Sequence, residues 1–249
     1  MTLDGWADDD EYSDETVMRT ILHIGLHRTG TTSAQTFLQH HLGPPAYPVG
    51  ELFPHLQLET ALVALRPDRL GPVGAARGTL DRDLVCRWAE SAREAGADLV
   101  LSNEVLSFLR HRDEVDRLLD LLAAQGVTSF EVILVHRDPA TFLPSYRIAS
   151  AIMRESALAD LFIAPPKKEI REGSWLVDHE ARVALWSARC TVHVLSYEDE
   201  VARCGSVVPA IARLVGVEPP AADADTWLNS SAELRSAVEE AIREKFRQD

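Results

Sequence analysis

The chain has 249 residues, is 46% hydrophobic and carries a net charge of −14. That apolar content over that length can bury a sizeable core, which excludes general disorder and suits one α/β domain. The acidic balance, with no basic stripe, argues against a nucleic-acid partner and requires any positive field for an anion to be local.

Residues 1–18 are acidic and polar, with Asp4, Asp8, Asp9, Asp10, Glu11, Asp14 and Glu15 among them, and read as a solvated tail ahead of a domain over 19–249. Residues 21–24 are apolar and partly β-branched, as in a buried strand. Gly25 and Gly30 bracket a tight loop, and from Thr31 the positions Ala34, Phe37, Leu38 and Leu42 repeat about once per helical turn. The loop at 43–48 holds three prolines, 56–65 reads as a short helix, and 67–78 is a second loop rich in Gly, Pro and Arg. Residues 79–95 read as an amphipathic helix stopped by Gly96, followed by a strand at 98–102 that leads into Asn103 and Glu104. A helix at 113–125 presents Val115, Leu118, Leu119 and Leu122 on one face and ends at Gly126.

The next strand covers 130–135 and runs into His136, Arg137, Asp138 and Pro139, where a helix begins and continues to about 154. Residues 158–174 break any regular pattern, and Lys167 and Lys168 there read as solvated or as touching substrate. A helix at 176–188, a strand at 191–196 ending in Tyr197-Glu198-Asp199, and a helix at 207–215 closed by Gly216 follow. Beyond the break at 218–220 a charged helix ends the chain. Strands alternating with helices predict a mainly parallel sheet flanked by helices. No run is apolar enough to span a bilayer and no leader segment is visible, so a cytoplasmic protein without membrane insertion is expected. Cys86, Cys190 and Cys204 are odd in number and lack metal spacing, the histidines form no obvious ligand set, and no metal is expected.

The strand, glycine-bounded loop and helix start at 21–33 make a P-loop-like anion cradle. Loop amides and first-turn N–H groups lack helical partners, and the helix dipole adds positive charge. The spacing from Gly25 to Gly30 fits the nucleoside-triphosphate loop, and Thr32 fits its hydroxyl, but Thr31 takes the lysine position and the cation sits earlier, at Arg28. A triphosphate would thereby lose its main counter-charge.

The run His27-Arg28-Thr29-Gly30-Thr31-Thr32-Ser33 resembles the 5′-phosphosulfate loop of sulfotransferases that use PAPS (3′-phosphoadenosine 5′-phosphosulfate), with Arg28 where that family usually has Lys. Arg137 and Ser145, eight residues apart with Pro139 between them, resemble the family's 3′-phosphate motif. A guanidinium beside a hydroxyl suits a dianionic phosphate. Tyr197-Glu198-Asp199 resembles the segment whose Tyr contacts the adenosine, and 227–231 resembles a polar segment of many bacterial members. The Arg-Lys-Gly motif of the cytosolic animal enzymes is missing, which puts more weight on Arg137 and Ser145. The resemblance implies PAPS as donor and its desulfated form, PAP, as product. The site it implies comprises Arg28, Thr29, Gly30, Thr31, Thr32, Ser33, Arg137, Ser145 and Tyr197, and the acceptor would be a hydroxyl of a small molecule, a glycan or a natural product.

For catalysis, Glu104 at a strand's carboxyl end stands where ligands bind in parallel sheets, and it resembles the family's base; its alternative role is to cap the following turn. His27, inside the cradle, is the second candidate base and His55 a third. Arg28 would stabilise charge. His136 points away from Arg137's side of the strand and reads as a packed histidine. Tyr47, Phe53 and His55 are candidates to line an acceptor pocket, with ordinary packing as the alternative. Two further functional classes stand beside a transferase of sulfuryl groups, namely a P-loop small-molecule kinase and a catalytically silent nucleotide-binding module. The oligomeric state is open.

Overall fold

Four strands, β1 (Arg19–His23), β2 (Leu99–Ser102), β3 (Ser129–His136) and β4 (Thr191–Ser196), pair as one parallel sheet in the order β2-β1-β3-β4 among the described residues. The computed structural model describes residues 18–54, 56–153 and 174–219. Side chains alternate across the sheet because a strand has a period of two. Ile21, Val100, Ile133 and Val135 face one side, where they pack with Ala34 and Leu38 of α1 (Thr31–His41) and Val208 and Ile211 of α8 (Val208–Leu214). Leu22, Leu99, Leu101, Val132 and Leu134 face the other side. There they meet α2 (Glu59–Ala64), α3 (Pro72–Glu94), α4 (Arg112–Ala123) and Trp186 of α6 (His179–Ser187). Burying each such aliphatic side chain contributes roughly 1.5–3 kcal/mol, so a helical layer on both faces is what fully apolar strands require.

The connectivity positions the site. After β1 the chain runs to β2 on one side, then crosses to β3 on the other, so β1 lies between two strands reached in opposite directions. At such a reversal the loops beyond the strands' carboxyl ends diverge and leave a crevice. Two further helices flank it, α5 (Pro139–Met153) after β3 and α7 (Tyr197–Cys204) after β4.

Most elements lie within about three residues of where the sequence puts them, but α7 is a helix that sequence reasoning did not place, and α3 differs in its start. It begins at Pro72, not near Thr79, and takes in Gly74 and Gly78, which read as loop residues. Pro at a helix's first position is favourable, Gly74 is buried against the fold, and Asp81 is fully buried in an ion pair with Arg77 one turn earlier. Tertiary packing overrides the low helix propensity of the two glycines. Tyr47 and Phe53 also depart from their candidate role at a pocket wall. Tyr47 is completely buried among Ile21, Val100 and Ile133, and Phe53 packs on the opposite core. His55, Lys167, Lys168, the acidic stretch 1–17 and the segment 227–231 lie outside the described residues. Among the described residues no helix is long and apolar enough to cross a membrane.

Candidate active site

The cradle loop is closed from within. Thr29 Oγ1 donates to the Leu26 carbonyl at 2.6 Å and accepts from the Leu26 amide at 3.2 Å. This commits the Thr29 hydroxyl to the loop and leaves its backbone as the part that could meet a ligand. Gly25 has φ 43°, and a Cβ there would lie 2.5 Å from the Thr31 methyl, so the position admits only glycine. That same methyl fixes Thr31 inward, 5% exposed, while Thr32 is exposed and Ser33 half-buried. Gly30, at φ 78°, precedes α1 with no side-chain cap. The first-turn amides of Thr31 and Thr32 therefore lack both an intrahelical and a capping partner.

Arg28 is the one non-glycine residue with positive φ among those described, at 65°. Such a conformation costs about 1 kcal/mol or more and persists where its surroundings enforce it. Two contacts do so here. Arg137 donates from one terminal nitrogen to the Arg28 carbonyl at 2.7 Å, and Arg28 Nε donates to Ser145 Oγ at 3.0 Å. The structure thus brings the cradle and the second motif into direct contact.

At the end of β3, Asp138 caps α5 by accepting from the Ala140 amide at 2.7 Å, and Pro139 takes the first helical position as the sequence predicts. The Arg137 guanidinium carbon lies 4.7 Å from the centre of the Tyr197 ring, and its Nε donates to Thr141 Oγ1 at 3.1 Å. Tyr197 is the first residue of α7, and the next residue is a participant that sequence reasoning missed. Glu198 accepts from the Asp138 amide at 3.3 Å and from Thr141 Oγ1 at 2.8 Å, and lies 3.8 Å from Arg137 Nε. A carboxylate therefore occupies the N-terminal end of α5, the same kind of place a phosphate prefers. The only sequence signal was an acidic residue one position beyond a motif tyrosine.

Glu104 opens the turn after β2. Capping of the turn after β2 is done by its neighbour, since Asn103 Oδ1 accepts from the Val105 amide at 2.9 Å and Asn103 Nδ2 donates to the Gln57 carbonyl and Thr60 Oγ1. The Glu104 carboxylate is thereby released for other contacts. Gln35, buried on α1, donates from Nε2 to Glu104 Oε2 at 2.9 Å, and His27 Nδ1 lies 3.7 Å from Glu104 Oε1. Gln35 was also missed, because the inward face of α1 gives no hint of what it meets.

His27 is buried against Phe108 and Tyr146, with ring centres 5.0 and 5.8 Å away, and its Nε2 has no hydrogen-bond partner. Burial holds this imidazole below the ordinary histidine range; Glu104 opposes that effect and Arg28 adds to it. Behind it, His23 makes a 2.7 Å hydrogen bond through Nδ1 with Ser102 Oγ, and burial brings it down to about 4, against the pull of Glu104. Both imidazoles are neutral near pH 7. With a side chain 16% exposed against 9% for His27, Glu104 is the more accessible proton acceptor.

The His136 ring packs, tilted, against that of His179 with centres 4.8 Å apart, the packed role expected of it. His179 Nε2 in turn meets the Arg137 carbonyl at 3.1 Å. Among the described residues no group of His, Cys, Asp and Glu is arranged to hold a metal ion.

Fold and site together define an α/β protein with a glycine-bounded loop at a sheet's switch point and two arginines meeting there. No protein-family model matches the chain, and no curated protein matches it. Among solved structures it is similar to the sulfotransferase domain from the Synechococcus PCC 7002 olefin synthase, at 16% identity and a TM-score of 0.46, covering 85% of this chain and 79% of that one.

Proposed function

We propose that this protein is a sulfotransferase that moves a sulfuryl group from PAPS to a hydroxyl of a small molecule, a sugar or a natural product. The observation that carries the reading is the convergence of Arg28, Ser145 and Arg137, drawn from two strand ends and linked by hydrogen bonds of 3.0 and 2.7 Å. A donor with phosphate on both sides of its ribose needs two anion seats only a ribose apart. A cradle at the end of β1 and a guanidinium with a hydroxyl at the end of β3 offer two such seats.

The residues present fit the donor. The amides of 28–32 and the Arg28 guanidinium would hold the 5′-phosphosulfate, Arg137 and Ser145 the 3′-phosphate, and Tyr197, already beneath Arg137, the adenosine. Thr31 supports this choice over a triphosphate, because its methyl is turned into the protein against Gly25 at the position where a nucleotide kinase needs a lysine.

When bound, PAPS supplies a sulfuryl group activated by its phosphate leaving group. Glu104 takes the proton of the acceptor hydroxyl. Gln35 engages Oε2, so Oε1 on the His27 side is the oxygen left to receive that proton. Negative charge growing on the leaving-group side is met by Arg28 and the first-turn amides, and each such donor in a preorganised site is worth ~3 kcal/mol, or ~100-fold in rate. A guanidinium holds its protons near neutral pH, so Arg28 acts as a charge and a hydrogen-bond donor and not as an acid.

Calorimetric titration with PAP, beside ATP with magnesium, tests this reading. Micromolar binding of PAP that weakens at least tenfold in Arg137→Ala is expected. Binding of magnesium-ATP alone would sink the proposal in favour of a phosphoryl transferase, and binding of neither would leave a silent module.

A further inference from the structure

We infer that His179 and Arg182, both on α6, are positioning residues that lock the backbone of Arg137 so that its guanidinium points into the anion site; the phosphate-binding part of this inference rests on the function proposed above.

The argument begins with hydrogen-bond chemistry. Arg182 is completely buried, donates to the Leu176 carbonyl at 2.7 Å and presents its other terminal nitrogen to His179 Nδ1. A guanidinium has donors only. His179 Nδ1 must then be the acceptor, which puts the ring hydrogen on Nε2. That N–H donates to the Arg137 carbonyl at 3.1 Å. The tautomer, which a histidine alone leaves open, is therefore fixed at both ring nitrogens, by a donor-only buried cation one turn away and by an acceptor-only carbonyl.

The groups facing His179 agree with this assignment. Burial, the Arg182 charge and His136 hold its imidazole down, to about 4, against the Arg137 carbonyl and Asp178, which pull the other way. His136 packs against the ring at a tilt, with centres 4.8 Å apart. Arg137 is consequently fixed from both sides, its carbonyl by His179 and its guanidinium by the Arg28 carbonyl and the Tyr197 ring. A donor held this way needs no reorganisation when an anion arrives.

Arg182 also sets up an electrostatic background. Its burial pulls its own charge state down toward about 10, with Asp178 opposing, so at neutral pH it remains a cation behind the second motif. Asp178 is engaged in capping α6 through the Ala181 amide at 3.0 Å.

Two measurements on the full chain test the assignment. With ¹⁵N-labelled histidine, His179 should show a protonated Nε2 and a bare Nδ1 from pH 7.5 down to about 5.5, and Arg182→Met, which leaves the Arg137 carbonyl to hold the Nε2–H form, should raise the Nδ1-protonated fraction without abolishing that form. A protonated Nδ1 in the wild type would overturn the relay. Calorimetry would compare PAP with adenosine 5′-monophosphate, which lacks the 3′ group. His179→Phe should reduce the preference for PAP about tenfold, with the monophosphate the less affected of the two, since Arg137 also holds the Arg28 carbonyl. His179→Gln, which keeps a donor toward Arg137 and an acceptor toward Arg182, should restore the preference. An equal loss for both nucleotides, or none, would leave His179 a packing residue and reject the inference. If the wild type binds neither nucleotide, the proposed function falls and with it the phosphate role of the relay, while the tautomer still decides whether His179 locks Arg137.

Discussion

Arg28 and Ser145 stand 117 positions apart in the chain, yet the Arg28 guanidinium donates to the Ser145 hydroxyl at 3.0 Å. The contact joins the helix that follows β3 to the loop that follows β1. It uses Nε, one of the several N–H groups that a guanidinium fork carries. A lysine at this position would have one compact ammonium in place of that fork and could not serve Ser145 and an anion with the same geometry.

Arg28→Ala should weaken PAP binding by about 10- to 100-fold, the range expected when a charged hydrogen-bond donor worth ~1.5–3 kcal/mol is lost. Arg28→Lys should retain part of that affinity and lose the coupling to Ser145. A double-mutant cycle between positions 28 and 145, read by calorimetry, would measure this: coupling in the arginine background and near-additivity in the lysine background.

On the function proposed above, Glu198 would compete for the seat of an incoming phosphate. Its carboxylate already engages the Asp138 amide and Thr141 and lies beside Arg137. Replacing it by Gln removes a negative charge and keeps the shape, so Glu198→Gln should bind PAP several-fold more tightly at low salt. The gain should shrink as ionic strength rises, since the residue is partly exposed. Weaker binding in the variant would mean that Glu198 organises the site instead of occupying it.

For Glu104, the expected separation is between chemistry and binding. Glu104→Gln should lower single-turnover sulfuryl transfer from PAPS to 4-nitrophenol, a probe acceptor, by ~10²- to 10⁴-fold, the usual worth of a positioned base. PAP affinity and thermal stability should hardly change, because Asn103 and not Glu104 caps the turn. His27→Asn, made alongside, should be the milder of the two.

His23 predicts how the fold responds to acid. Burial brings it to about 4 in the folded chain, against an ordinary value of 6.5. Between those values the unfolded chain binds a proton that the native state excludes, so stability falls as pH drops from 6.5 toward 4. This one group contributes a slope of up to ~1.4 kcal/mol per pH unit. His23→Asn, which can still meet Ser102, should flatten that limb in denaturant titrations at pH 4.5 and 6.5. An unchanged slope would place the acid sensitivity elsewhere.

The parallel sheet was legible because buried strands announce themselves: the apolar runs at 21–24 and 130–135 can do little else, and glycines mark the helix ends at Gly96, Gly126 and Gly216. The start of α3 was not legible, since Gly74 and Gly78 are poor helix formers whose placement is decided by what α3 packs on. In the site, the cradle and the Arg137–Ser145 spacing were visible as local patterns. Gln35, Glu198, His179 and Arg182 were not, because each acts through a partner from another element: Gln35 from α1 to the turn after β2, Glu198 from α7 to α5, His179 from α6 to the loop after β3. A periodic pattern tells which face of a helix is inward and is silent about which polar group waits there.

The division of labour between Asn103 and Glu104 has a consequence for how this protein could be retooled. The turn after β2 keeps its shape through Asn103, tied to Gln57 and Thr60, so the backbone at 104 does not depend on the side chain it carries. Position 104 is in effect a socket. A histidine or an aspartate placed there would inherit the same Cα position, so lineages of this fold could trade one proton acceptor for another, with the scaffold unaware of the exchange.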